Sequence, residues 1–494
     1  MKKILLLVVT AVSYVLFASC VSKVGTATVK IKAKNLAGRE LKYNRSYNGV
    51  TLNTFTHAEL DADSTFTITL PTEGIEFLRI LASDPDRNLS VITKAFYVLP
   101  GITEVTIDPL ADENVTVVPP TGNSLDGQAA QSISEIYDLW WSLTTGRPDA
   151  LGLKYDSIPA SAIKKLDAYS DSIIDAYAEA SPAVRNALER DASLTKLMVF
   201  NDCVYINRKN ENASEWKQEL SSLRRQTDMN NPANALSPYF GQIVSPMYTS
   251  DIYTDFQYPK DVSADSVLRA ITEYFLNTYT GKAAESAIGT MLYEDGSLSK
   301  FSPSAPAITE RFKTLFPESG ILPLLEEKVA ENNTFNNPDE LADIVFIDNS
   351  QIKNLAEVLE PYKGLPVLID VWATWCGPCR ESFAHVGRIQ EYADKNGVQL
   401  LYLSIDEQPD IEDRWKRMAR YYKLKGHHLL INPDIKQEIF STFGNGGYLT
   451  IPRQAIVDRD GNLTLCPQEL AVSADFTPLR TLLDKIIATD TEKE

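Results

Sequence analysis

Cysteine and histidine are both scarce in this chain of 494 residues, with five of the first and four of the second. An exported scaffold held by disulfides would carry far more cysteine, so packed apolar cores must hold this one. A structural zinc site takes four ligands, and beside the single C-x-x-C at Cys376 and Cys379 there is no second pair or Cys-His motif to complete one. Positive charge is short as well: 48 Lys and Arg against 66 Asp and Glu leave a net −18. That balance argues against binding nucleic acid or anionic lipid through general electrostatics. Beyond the first twenty residues no run approaches the ~18 consecutive apolar residues of a membrane helix. No fixed-period repeat marks a solenoid, and the acidic residues form no paired-carboxylate signature. What is present is ordinary for globular proteins: 44% hydrophobic residues, over a length that suggests about three domains.

The chain opens with Lys2 and Lys3, an apolar run over residues 4–17, then Ala18 and Ser19 before Cys20. A basic start, a short apolar stretch and small residues form an export signal, not a folded segment. The pattern resembles a bacterial lipoprotein signal, which implies removal of residues 1–19 and lipidation of Cys20. Phe17 departs from the leucine usual there, with Leu16 one residue away. Val21 follows Cys20 in place of an aspartate, which by resemblance to other lipoproteins points to the outer membrane.

Residues 20–120 read as a β domain. Alternation over residues 28–32, 64–70 and 103–107, with turns at Gly38, Pro71 and Gly101, predicts a small antiparallel sandwich. Pro119, Pro120, Thr121, Gly122 and Asn123 form a linker. Residues 121–340 change period: Ile163, Leu166, Ile173, Ile174 and Tyr177 share one helical face, as do Val267, Leu268, Ile271 and Phe275. Ser-Pro, Asn-Pro and Ala-Pro pairs suit helix starts, and an all-helical domain is expected. Over residues 341–494 strands and helices alternate. The pattern gives a buried strand at 365–372, a helix from near Cys376 to Lys395, a strand at 398–405 and a helix at 411–424 closed by Gly426. A short apolar segment at 427–431, a helix at 434–443, a hairpin about Asp460 and Gly461 and a last helix at 476–487 complete an α/β unit with a mixed sheet.

The pair Cys376 and Cys379 sits where that strand turns into a helix. Unsatisfied amide donors and the positive dipole end beside a cysteine at a helix start favour thiolate, the nucleophilic form. Gly377 permits close approach, and Pro378 suits a first turn because it lacks the donor. Cys379, three residues on, returns to the same face and can close a reversible disulfide. Haem attachment would require histidine where Arg380 stands. An inert structural disulfide would have no need of the strand-to-helix turn.

Trp375-Cys376-Gly377-Pro378-Cys379 behind an apolar strand resembles the active-site motif of thioredoxins. VLIDVWATWCGPCR, residues 367–380, looks like the membrane-tethered TlpA and ResA branch of that superfamily. The resemblance implies a thioredoxin fold for the C-terminal domain and no cofactor. Cys376 would attack a substrate disulfide, Cys379 would resolve the mixed disulfide, and Asp370 would relay a proton for Cys379. Trp375, Gly377, Pro378, Ile451 and Pro452 would form the substrate-binding wall, with Ile451-Pro452 matching the family's cis-proline turn. Such a turn is open to an X-Pro bond, and the Ile451 backbone could pair with an extended substrate. Two departures stand out. Ala384 replaces a proline that kinks the helix, so a straighter helix is expected. Tyr402 stands where thioredoxin has the lysine beside its buried aspartate, so burial should raise the pKa of Asp370.

Cys203, in an apolar helical stretch, reads as a small hydrophobe; Cys466 ends the second hairpin strand, and nothing in the sequence supports a bond between the two. His427 and His428 alternate faces and cannot share a metal. Trp140 and Trp141 read as core. Residues 95–107, AFYVLPGITEVTI, with Gly122-Asn123-Ser124, resemble the β domain that precedes thioredoxin-like domains in Bacteroidetes-type lipoproteins, which implies a Gram-negative periplasm. The expectation is a lipid-anchored periplasmic thiol-disulfide oxidoreductase. It would reduce disulfide-containing proteins with electrons from a membrane reductase. An oxidase or isomerase, or a binding lipoprotein whose thioredoxin domain only docks, are the alternatives.

Overall fold

The computed structural model describes residues 25–36, 39–47, 49–52, 55–72, 74–84, 89–141, 163–206, 208, 213–252, 262–407, 411–444, 448–472 and 475–491. Cys20 and its neighbours lie outside them. Two sheets face each other at the N-terminal end. The outer sheet orders Thr65–Thr72, Gly25–Ala33, Gly101–Ile107 and Val115–Val118; the inner one runs Val50–Thr51, Glu40–Tyr47, Glu76–Asp84, Leu89–Val98. Period-two alternation turns Ala27, Val29 and Ile31 toward Leu78, Ile80, Phe96 and Val98, and these make the sandwich core. One pairing corrects the antiparallel expectation: Gly25–Ala33 runs parallel to Gly101–Ile107. The two strands are far apart in sequence, so a crossover through the inner sheet joins them and no hairpin fixes their direction.

The inner sheet is apolar on its other face too. Val50, Leu52, Phe77, Tyr97 and Leu99 pack into the core of the helical region. Tyr97 is anchored there, its hydroxyl donating to Asp191 Oδ2 at 2.8 Å. Gly49, at φ +86°, approaches so closely that a Cβ would stand 1.7 Å from the Ala235 carbonyl oxygen. Ser286 Oγ donates to the Gly49 carbonyl at 2.7 Å. Gly281–Ser297 is buried nearly all round and forms the central helix of this region. Proline opens helices at Pro182 and Pro232, the latter with Asn231 accepting from the Ala233 amide. Pro246, by contrast, lies inside Phe240–Ile252. Of the expected helical face at 163–177, Ile173, Ile174 and Tyr177 pack on the core. The side chains of Ile163 and Leu166 lie outside the described residues.

The C-terminal sheet orders Ile344–Phe346, Gly426–Leu430, Gln399–Ser404, Val367–Trp372, Arg453–Val457 and Leu463–Leu465. The first four strands run parallel and the last two antiparallel. All six residues of Val367–Trp372 are buried, as a strand covered on both faces requires. The expected helix over 376–395 is two, Gly377–Phe383 and Val386–Asn396. Without the proline, a break still occurs: Ser382 Oγ bonds back to the Cys379 carbonyl at 2.8 Å, and Ala384 and His385 close with tighter i→i−3 bonds. Ile411–Tyr421 also ends earlier than expected. Gly426 starts the next strand instead, at φ +127°, where a Cβ would meet the Leu400 carbonyl at 2.5 Å.

The helical region meets this unit at one joint. Arg414 Nη1 and Nη2 donate to the carbonyls of Lys300 and Ser299, each at 2.5 Å. Phe301 stacks on Phe335 with centroids 4.6 Å apart, and Tyr421 packs on both rings.

Candidate active site

The strand Val367–Trp372 ends at a loop pinned from the neighbouring strand. Asp406 Oδ2 accepts from the Thr374 amide and Oδ1 from Thr374 Oγ1, both at 2.8 Å. Ser404 Oγ also donates to Oδ2, at 2.6 Å. The loop therefore enters the next helix from a fixed point, and Cys376 becomes its N-cap, with Sγ accepting from the Cys379 amide at 3.1 Å. A donor aimed at that sulfur stabilises negative charge on it. Cys376 and Cys379 are joined in a disulfide. Cys376 is 4% exposed and Cys379 0%, so an incoming sulfur reaches Cys376 first. Trp375 beside it is 55% exposed.

The peptide Ile451-Pro452 is cis. Register pairs Val371 with Arg453, so Pro452 leaves the sheet at the end where the loop to Cys376 begins. Gln468 Nε2 donates to the Pro452 carbonyl at 2.6 Å, and Arg453 Nη1 to the Cys466 carbonyl at 2.9 Å, fixing this wall. Among the described residues the Ile451 backbone makes no hydrogen bond, which leaves it open to an added strand.

Asp370 lies buried in the strand below. Its Oδ2 accepts from Gln454 Nε2 at 3.0 Å, and Oδ1 has no partner. Burial pushes its pKa up to about 7, opposed by the Gln454 bond. A cavity of ≈ 20 Å³, room for about one water, is lined by Asp370, Gln454, Ser382 and Phe383, the last two from the cysteine-bearing helix. Tyr402 is Asp370's register partner on the adjacent strand. Its ring stacks on His428 at 4.7 Å, and burial, then the Asp370 charge, raises its phenol pKa. It offers Asp370 no positive charge.

The remaining candidates separate from this site. Cys203 and Cys466 are buried thiols outside the disulfide, each pushed up to about 12 by burial. His428 Nε2 donates to the Leu424 carbonyl at 2.7 Å, and His427 packs beside Tyr362. Trp140 is core, with Nε1 donating to Ser170 Oγ at 3.0 Å. No cluster of metal-ligating side chains occurs among the described residues. No described helix is long and apolar enough to cross a membrane. Sequence reasoning missed Asp406 and Gln454, whose roles come from partners distant in sequence, Thr374 for the first and Asp370 for the second.

Comparison with known proteins agrees with this geometry. The Redoxin family model matches residues 338–469. Thiol-disulfide oxidoreductase ResA of Bacillus thuringiensis subsp. konkukian is 29% identical over 128 residues, 26% of this chain and 67% of that protein. Thioredoxin of Rickettsia prowazekii is 44% identical over 64 residues, 13% of this chain and 55% of its own length. Against these curated relatives the chain thus spans about half to two thirds of their length. The solved thioredoxin domain of a Bacteroides vulgatus thiol-disulfide oxidoreductase is 21% identical, covering 25% of this chain and 83% of that one at a TM-score of 0.21. A thiol:disulfide interchange protein from Bacteroides sp. is 20% identical, covering 26% and 78% at 0.21.

Proposed function

We propose that this chain, whose residues 338–469 form a ResA/TlpA-like domain of the thioredoxin superfamily, is a lipid-anchored reductase of protein disulfides outside the cytoplasm. The domain is that of a thiol-disulfide oxidoreductase. The observation that carries the reading is the placement of Cys376, the more exposed sulfur of a helix-start disulfide, at the end of the sheet where the Ile451 backbone makes no hydrogen bond among the described residues.

In the reduced form the Cys376 thiolate attacks one sulfur of a substrate disulfide, and the other substrate sulfur leaves as thiolate. The Cys379 thiolate then attacks Cys376 Sγ, releasing the second substrate thiol and leaving the pair oxidised. Two electrons and two protons pass to the substrate. Asp370 takes the proton that Cys379 must lose, and the water-sized cavity beside Asp370 has room for a water to accept it in turn. Trp375, Gly377, Pro378 and Pro452 shape the wall against which the substrate segment lies beside Ile451. Gly-Pro between the cysteines is the spacer of thioredoxin, whose potential of about −270 mV is strongly reducing; this favours reduction over oxidation or isomerisation. Electrons return from a membrane reductase. Cys20 carries the lipid, at the periplasmic side of a Gram-negative outer membrane.

A Cys379→Ser chain should accumulate mixed disulfides with partners through Cys376, and a Cys376→Ser chain none. Absence of any adduct would shift the reading to a binding protein whose domain only docks. A pair potential near −120 mV would reverse the direction of electron flow.

A further inference from the structure

Arg380 follows Cys379 in the first helical turn and is half-buried. Its Nη1 donates to the Thr374 carbonyl at 3.1 Å, which swings the guanidinium back over the cysteine turn. Nη2 lies 4.0 Å from the point where a Cβ on Gly377 would stand. A guanidinium carries five N–H donors, and Arg380 has no ion pair among the described residues. Asp406, which holds the same Thr374, directs both oxygens to Thr374 and Ser404 and makes no ion pair with Arg380. Glu381 is exposed and acts on it only at longer range. Arg414 adds a second positive charge, opposed by the carboxylates of Asp406 and Asp295, and its donors are committed to Lys300 and Ser299. In a chain of net charge −18, Arg380 therefore keeps N–H donors without an ion-pair partner among the described residues, beside the exposed Trp375 and the reactive disulfide.

We propose that Arg380 is a specificity determinant, receiving the carboxylate of an Asp or Glu that flanks the reactive cysteine of a protein substrate. The inference rests on the oxidoreductase reading above. Arg380 takes no part in the sulfur chemistry; it holds the substrate segment while Cys376 reacts. Planar, bidentate binding of a carboxylate is what arginine does better than lysine.

The test uses the full chain and two disulfide-linked peptides that differ only in carrying Asp or Lys next to the cysteine. The wild type should reduce the Asp peptide with a kcat/KM about five-fold higher, mainly through KM, and the preference should fade as salt rises. Arg380→Gln should abolish the preference, bringing the kcat/KM of the two peptides together. Arg380→Glu should invert it. A wild type without preference, or an Arg380→Gln chain slowed equally on both peptides, overturns the docking role and leaves the oxidoreductase reading intact. If neither peptide is reduced, that reading falls as well.

Discussion

Replacing Asp370 by Asn should make the protein's stability less sensitive to pH. The carboxyl is buried with one oxygen unpartnered, and its folded-state pKa is about 7, against about 3.9 in an unfolded chain. Between those values the unfolded state has released a proton that the folded state keeps. The folded state thus binds more protons, and stability falls as pH rises through this window. Each unit is worth about 1.4 kcal/mol, so the wild type loses about 4 kcal/mol in all, of which about 2 kcal/mol falls between pH 5 and 7. By about pH 8 this contribution is flat. Asn matches the shape, cannot ionise, and can keep a bond to Gln454. Urea denaturation at pH 5, 6, 7 and 8 reads the effect directly. The asparagine chain should match the wild type near pH 5 within about 1 kcal/mol and exceed it by about 3 kcal/mol at pH 8. Parallel stability curves for the two chains would refute the reasoning. The same variant should slow resolution of a trapped mixed disulfide by at least about ten-fold at pH 7, because Cys379 would lose its proton acceptor.

Asp406→Asn places an amide donor where Thr374 and Ser404 present donors, and should cost about 2 to 3 kcal/mol in urea denaturation. Dithiothreitol reduction of the Cys376–Cys379 disulfide should change rate in the same variant, as the loop before Cys376 loosens. Gly49→Ala drives a methyl into the Ala235 carbonyl at a positive φ. It should destabilise by about 3 kcal/mol or more, seen as a lower denaturant midpoint.

The strongest elements of the sequence pattern were also the ones decided locally. The strand at Val367–Trp372 announced itself by six apolar or buried positions in a row, and the cysteine turn by residue types that only a helix start accommodates. The cis peptide at Ile451-Pro452 was legible only through the resemblance to thioredoxins, since any of the chain's 26 prolines permits one. Elements that depend on distant partners were not. The parallel partner of Gly25–Ala33 lies some seventy residues away, beyond the reach of any alternation pattern. The helix break after Phe383 follows from a single serine hydroxyl turning back on Cys379, whereas the missing proline at Ala384 had argued for continuity. Asp406 was passed over because an aspartate after a strand is ordinary; its role exists only through a loop thirty-two residues earlier.

The inner β-sheet, apolar on both faces, has a consequence for how the chain comes apart. One face closes on the outer sheet and the other on helices that begin after residue 123. A cut at residue 120 would leave Phe77, Tyr97 and Leu99 as a bare greasy plate, an invitation to self-association. Neither half can be lifted out as a portable module. Heating should therefore melt the described residues between 25 and 336 as one cooperative block, while the redox unit, fastened through Arg414 and through Tyr421 on Phe301 and Phe335, is the piece that evolution or a protease could detach whole.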